Sequence, residues 1–278
     1  MTNLILIEFT KLFRRGMTYI GFAAILLIVL VIQLGMFVEG KKLLDFLIKS
    51  LSDVFMLEGN LINIYTVSYV ILNSLWIHIP VLVAIVAGDL VSGEAGRGTF
   101  RLLITRPVSR TKLLTAKYIT AQVYTAMLVL FLIFMSLIVG RLFFATGDMI
   151  VLMETINIFD STDVLWRFIA AYAYGMVSMW VVSGLAFLFS TNATNSLGPV
   201  VASMSVLILF TIITNFSIGI FDPIKPFLFT TYLNGWQLFF AEPLDWKAIS
   251  TAIIIMVGHI TVFYLAALYI FKHKDIQS

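Results

Sequence analysis

The chain has no cysteine among its 278 residues, only six prolines, and just 12% charged side chains. Without cysteine there is neither a disulfide nor a thiolate metal site. Soluble domains carry roughly 25% charged residues and are about half apolar. Here 60% of the residues are hydrophobic and the mean hydropathy is +1.02. That composition is a membrane protein's. The formal net charge of +3 is too small to argue for a nucleic-acid partner.

Further absences narrow the function. No carboxylate or amine lies in the middle of an apolar run, which argues against a proton-driven carrier, because such a carrier needs a group to hold the proton. His78 and His259 fall inside apolar runs as lone imidazoles, better read as packed, hydrogen-bonded side chains than as ligands or relays. No metal-ligand cluster, nucleophile–base pair or zincin helix is present, so no catalytic residue is assigned and the chain is not expected to be an enzyme. The glycines of "GDLVSGEAGRG" (88–98) lack the Gly-Lys-Ser/Thr ending of a phosphate loop and follow an apolar run rather than a strand. Any ATP used must be bound by another chain.

What is present is a set of long charge-free runs. A helix needs about 20 apolar residues to cross roughly 30 Å of hydrocarbon. Charge-free stretches separate Arg15 from Glu39, Glu58 from Asp89, Lys117 from Arg141 and Lys247 from Lys272. A longer one, from Arg167 to Asp222, is divided by the turn formers of "STNATNSLGP". The fold expected is an all-α integral membrane protein, one domain over 1–278, with spans near 17–38, 64–87, 117–140, 167–189, 198–220 and 249–271. The first run is too long for a signal-peptide core and no small-residue cleavage site follows it. Pro80 is expected to kink span two, since it lacks an amide donor and clashes one turn back.

Six spans put both ends on one side. That side carries eleven of the eighteen Lys and Arg residues against four acids, so the termini and the 88–114 loop are expected to be cytoplasmic. Residues 1–16 read as an interfacial helix, with Ile5, Phe9, Leu12 and Phe13 on one face and Glu8, Lys11 and Arg15 on another. Membrane lipids are therefore one partner. Leu44, Ile48, Leu51 and Phe55 make a second apolar stripe in an outer loop. The Pro- and aromatic-rich segment before span six has an uncharged core over 227–241, about 22 Å as a helix and too short to cross. Short re-entrant or interfacial helices are expected there, with Trp236 and Trp246 at headgroup level.

The loop between spans two and three is the most distinctive stretch. After a flexible "SGEAGRG", Thr99 can cap one or two helical turns in which Phe100, Leu103 and Ile104 form an apolar patch flanked by Arg101 and Arg106. Pro107 stops the turn and Ser109 can cap span three. Aromatic, aliphatic and Arg side chains on a short helix suit a docking knob for another protein. A basic loop that only fixes topology is the other reading.

The whole stretch "GDLVSGEAGRGTFRLLITRPVSRTKLLTAKY" resembles the signature loop of ABC transporter permeases of the exporter-type ABC-2 family. The six spans, the N-terminal surface helix, the segment before span six and the ending "FKHKDIQS" also resemble that family. The resemblance implies a coupling helix, Gly98, Thr99, Phe100, Arg101, Leu102, Leu103, Ile104 and Arg106, resting in a groove of a cytoplasmic ATPase, with Pro107 turning the chain back. It implies that Glu94 braces the loop against the N-terminal helix or a neighbouring Arg such as Arg97. It further implies two ABC ATPase subunits that bind ATP and Mg, no cofactor in this chain, a second permease subunit (identical or related), and a prokaryotic plasma membrane. The pathway would run along spans two and five. Asn63, Thr66, Asn73 and Ser74 are its candidates on the first, and Ser203, Thr211 and Asn215 on the second. These polar side chains equally suit helix–helix contacts. A non-transporting membrane anchor or sensor is the alternative function.

Overall fold

The computed structural model describes residues 1–52, 62–98, 108–152, 156–216 and 218–274. The outer-loop stripe of Leu44, Ile48, Leu51 and Phe55 lies outside the described side chains. So do Thr99 to Pro107, the core of the expected coupling helix.

The described chain is mostly helical. Helix α1 (Thr2–Phe13) is followed by α2 (Gly16–Ser52), α3 (Ile64–Leu75), α4 (His78–Gly96) and α5 (Arg110–Ile133). Then come α6 (Ser161–Asn192), α7 (Leu197–Asn215), the single turn α8 (Thr230–Leu233) and α9 (Trp246–His273). Six helical stretches are long and apolar enough to cross a membrane: Gly16–Gly40, His78–Gly96, Arg110–Leu142, Ser161–Asn192, Leu197–Asn215 and Trp246–His273. The expectation of an all-α fold needs one amendment. Strands β1 (Met149–Leu152) and β2 (Ile156–Phe159) pair antiparallel as a small hairpin between α5 and α6.

Local chemistry explains the helix ends. Ser109 is the N-cap of α5, its hydroxyl accepting from the Lys112 amide at 3.4 Å. Asp160 caps α6 through Thr162 N at 2.9 Å, and Asp245 caps α9 through Ala248 N at 2.9 Å. Such caps satisfy amides that have no partner inside the helix. α5 ends in a π-helical turn, Phe134–Ile138, which disturbs its carbonyl ladder. Buried Gln33 donates to the Met135 carbonyl at 2.8 Å and Ser68 to the Ser136 carbonyl at 3.2 Å.

Span two is two helices rather than one. It breaks at Trp76 and Ile77, between α3 and α4. Pro80 has no amide for the Trp76 carbonyl four residues back, and its ring crowds that carbonyl. The expected kink is therefore a full interruption.

α6 is the hub, packing against α4, α5, α7 and α9. Burial covers 67% of its most apolar window, against 11% for α7 and α9, so the last two form the periphery. Before α9, 3₁₀ turns at Gly219–Phe221, Lys225–Phe227 and Asn234–Phe240 flank α8. Trp236 does not lie at the surface as expected. It is 1% exposed and packs among Tyr69, Trp76 and Phe240, with ring centroids 5.6, 5.9 and 6.2 Å away. Trp246 is 60% exposed.

Candidate functional site

Four charged side chains meet where α1, the end of α4 and the start of α5 converge. Lys117 Nζ lies 2.6 Å from Glu8 and 2.7 Å from Glu94. Lys11 Nζ lies 2.7 Å from Glu8 and 3.2 Å from Glu94. Each lysine thus bridges both carboxylates, and the square carries no net charge. Lys117 is completely buried, Glu8 and Glu94 nearly so. Lys117 also donates to the Leu90 carbonyl at 3.2 Å. Opposite charges held this closely offset the cost of removing them from water, provided every member keeps its partners.

A second polar cluster sits one turn earlier on α4. Asp89 accepts from Arg15, at the start of α2, and from Ser196, just before α7. Arg97 stands 3.8 Å from the same carboxylate. Ser190 donates to the Gly88 carbonyl and accepts from the amides of Val91 and Ser92 at 3.2 and 3.0 Å. This close approach depends on glycine. A Cβ on Gly96 would come within 2.8 Å of the Thr194 carbonyl; within α4 itself, one on Gly93 would come within 2.0 Å of the Asp89 carboxylate. Hence residues 92–96 of the "SGEAGRG" stretch expected to be flexible are ordered helix, since their one carboxylate, Glu94, is neutralised and both glycines lie against neighbouring groups.

Both clusters border the 99–107 segment. Gly98 leaves α4 with φ of +67°, a left-handed geometry that glycine adopts without strain. On the far side Arg110 donates to the carbonyls of Lys272 and Lys274 at 3.3 and 3.1 Å, and Lys274 donates to the Thr191 carbonyl at 3.0 Å. The N-terminal helix, the last turn of α9, the α6–α7 loop and both ends of the 99–107 segment therefore share one end of the molecule.

The polar face of α1 has a different role from the one expected. Glu8, Lys11 and Arg15 turn toward the protein, and the exposed side presents Leu6, Ile7 and Thr10. Complementary charges on α4 and α5 draw that face inward. Glu94 meets α1 through Lys11; Arg97 is paired with Asp89 instead. In the sequence Lys117 marks the start of a charge-free run, and its pairing with Glu8 and Glu94 is not legible there. The available signal was its setting, a lysine on a helical face between buried Leu113, Leu114, Thr120 and Ala121.

The expected pathway residues divide. Buried Asn63 caps α3, accepting from the amides of Tyr65 and Thr66 and donating to the Asp148 carbonyl at 2.6 Å. Ser203 is buried and donates to its own helix at Val200. Both side chains are engaged within the protein, and Thr66 is half-buried. Asn73, Ser74, Thr211 and Asn215 are exposed, on two different helices. His78, read as a packed residue, is exposed beside Asn73 and Ser74, its Nδ1 donating to the Ser74 carbonyl at 2.8 Å. His259 is half-buried, edge-on to Phe229 and Phe263. Eleven residues separate His78 from Asp89, about 16 Å along α4, or half a bilayer core.

The pH response of the square follows from its surroundings. Burial pushes the Glu8 carboxyl up, but the Lys117 charge and hydrogen bonds from Lys11 and Lys117 outweigh it, leaving the group below its ordinary 4.5. Burial pulls Lys11 down, but its hydrogen bond to Glu8 and the charges of Glu8 and Glu94 carry it above its ordinary 10.5. The Glu8 contribution to stability is present above 4.5 and lost as pH falls through the lowered folded value; that of Lys11 is present below 10.5 and lost as pH rises through the raised one. Thermal unfolding in detergent should therefore hold steady between about pH 5 and 10 and fall below about pH 4. Glu8→Gln should flatten the acid limb, and an unchanged limb would contradict this account.

Six membrane-length apolar helices among the described residues, two of them (α4 and α5) tied to each other and to α1 by buried ion pairs, make this a multi-pass α-helical membrane protein. Residues 26–277 match the family described as "Protein of unknown function (DUF2705)", and the chain belongs to that family. It is similar to the uncharacterized protein YhcI of Bacillus subtilis (strain 168), 29% identical over 204 residues, which cover 70% of this chain and 63% of the relative. The chain thus spans less than two thirds of that relative's length.

Proposed function

We propose that the chain is the transmembrane permease subunit of an ATP-driven transporter of the ABC-2 type, exporting its cargo across a prokaryotic plasma membrane with both termini in the cytoplasm. The observation that carries this reading is the buried square of Glu8, Lys11, Glu94 and Lys117 at the base of the 99–107 segment. A segment that receives force needs stiff supports on both sides. Here Glu94 on α4 and Lys117 on α5 are joined to each other and to α1, so a displacement of 99–107 moves three helices together.

The chemistry belongs to partners. Two cytoplasmic ATPase subunits bind ATP and Mg and close on each other. The docked segments follow, and the spans rock between inward- and outward-open states. A second permease chain, identical or related, completes the pathway. Asn73, Ser74 and His78 beside the break in span two, and Thr211 and Asn215 on α7, supply hydrogen-bonding groups along it. Polar side chains at bilayer depth are costly against lipid and suit a water-filled or partner-covered surface. Irregular backbone at that depth is tolerated in the same setting.

The test is reversal of charge on the docking segment. Arg101→Glu with Arg106→Glu, co-expressed with the ATPase of a neighbouring gene, should leave insertion intact and lower ATPase binding and transport at least about tenfold. Normal docking and transport by that variant would sink the coupling assignment. A wild-type complex that hydrolyses ATP in liposomes but moves nothing would make the chain a membrane anchor or sensor.

A further inference from the structure

At the end of the molecule opposite the termini, a cavity of about 360 Å³ lies between α6, α8 with its following 3₁₀ turn, and the first turns of α9. This volume is within the range of small-ligand sites, which are largely apolar with a few placed polar groups. Leu238, Ala248 and Ala252 form its apolar wall. Tyr174 contributes its ring, with the hydroxyl committed to the Tyr232 carbonyl at 2.5 Å. The 3₁₀ turn lies directly against the Tyr174 ring: a Cβ on Gly235 would fall 2.1 Å from the Tyr174 hydroxyl, so glycine is what lets the ring sit here.

The rim is charged and of both signs. Asp245 and Lys247 line it, two residues apart. Both are exposed, and among the described residues Lys247 makes no ion pair. Trp246 between them is 60% exposed. α9 has 28 residues, about 42 Å of helix against a hydrocarbon core of roughly 30 Å, so its first turn reaches headgroup level. An exposed tryptophan suits that level.

We propose that this cavity binds a resident zwitterionic phospholipid of the adjacent leaflet, of the phosphatidylethanolamine type. One acyl chain lies along Leu238, Ala248 and Ala252, the phosphate faces Lys247, and the headgroup ammonium faces Asp245. A small soluble anion would gain nothing from the apolar wall and would meet Asp245. A plain hydrocarbon would leave both rim charges without a counter-charge. The inference requires only that the chain spans a membrane and does not depend on transport.

The test uses the full chain in nanodiscs containing a photoactivatable phosphatidylethanolamine, with labelled peptides mapped by mass spectrometry. Labels should concentrate in 231–238 and 246–252. Lys247→Ala should reduce them about fivefold, the scale of one exposed charge pair. Ala248→Trp, which fills the cavity, should abolish them, while Lys225→Ala should change nothing. Equal labelling in wild type and Lys247→Ala, or labels mapping elsewhere, would overturn the proposal. In the wild type, phosphatidylglycerol carrying the same photoactivatable group should label more weakly, since it has no ammonium. Equal or stronger labelling by that probe would rule out a zwitterionic occupant even if Ala248→Trp fails to fold.

Discussion

Lys117→Met is expected to destabilise the protein by about 3–5 kcal/mol, the usual cost of removing one partner from a buried ion pair. The side chain is completely buried and its ammonium contacts Glu8, Glu94 and the Leu90 carbonyl. Methionine fills a similar volume, so packing is largely kept and the loss is electrostatic. Lys11 would then face two carboxylates alone, and one of them would take up a proton or draw in water. In detergent the melting temperature should drop by roughly 10 °C. Glu94→Gln combined with Lys117→Met should recover a good part of that loss, because Lys11 and Glu8, 2.7 Å apart, then remain as a balanced pair. A single variant as stable as the parent, or a double variant worse than the single, would show that the square is not a coupled unit.

Gly93→Ala should destabilise by about 2 kcal/mol or more, opposite in sign to the usual effect. In an ordinary helix interior this change gains up to about 1 kcal/mol. Here the new methyl would sit 2.0 Å from an oxygen of Asp89. Asp89 cannot yield cheaply, because its carboxylate is held by Arg15 and Ser196. Moving it sacrifices hydrogen bonds to a charged group, worth about 1.5–3 kcal/mol each. Asp89→Asn combined with Gly93→Ala should be little worse than Gly93→Ala alone, since both damage the same contact. A stabilising Gly93→Ala would mean that α4 has room that the structure denies it.

Much of the architecture was legible one residue at a time. Five of the six spans lie near their charge-free runs, because crossing hydrocarbon is a matter of summed local hydropathy; the second, expected over 64–87, is the helix His78–Gly96. Ser109 as a cap and Pro80 as a disruption followed from backbone hydrogen bonding within four residues. Boundaries set by charge were less secure. The charge pattern places the start of span four at Arg167, yet α6 begins at Ser161, because Arg167 is buried with Asp163 at 2.7 Å and donates to the Phe239 carbonyl at 3.0 Å. A charge ends a span only if nothing within the protein answers it. Trp236 failed for a similar reason. An amphipathic ring suits headgroups or a core, and only its neighbours Tyr69 and Trp76 decide between them.

Membrane character, the approximate spans and the grouping of basic residues at one end all follow from the order of side chains along the chain, since each is a sum over neighbours. The linkage of that end does not. Glu8 meets Lys117 across 109 positions and Lys11 meets Glu94 across 83, and nothing local distinguishes those four from other charges at helix ends. Coulomb attraction depends on distance in space and on exclusion of water, and both exist only once α1, α4 and α5 have packed.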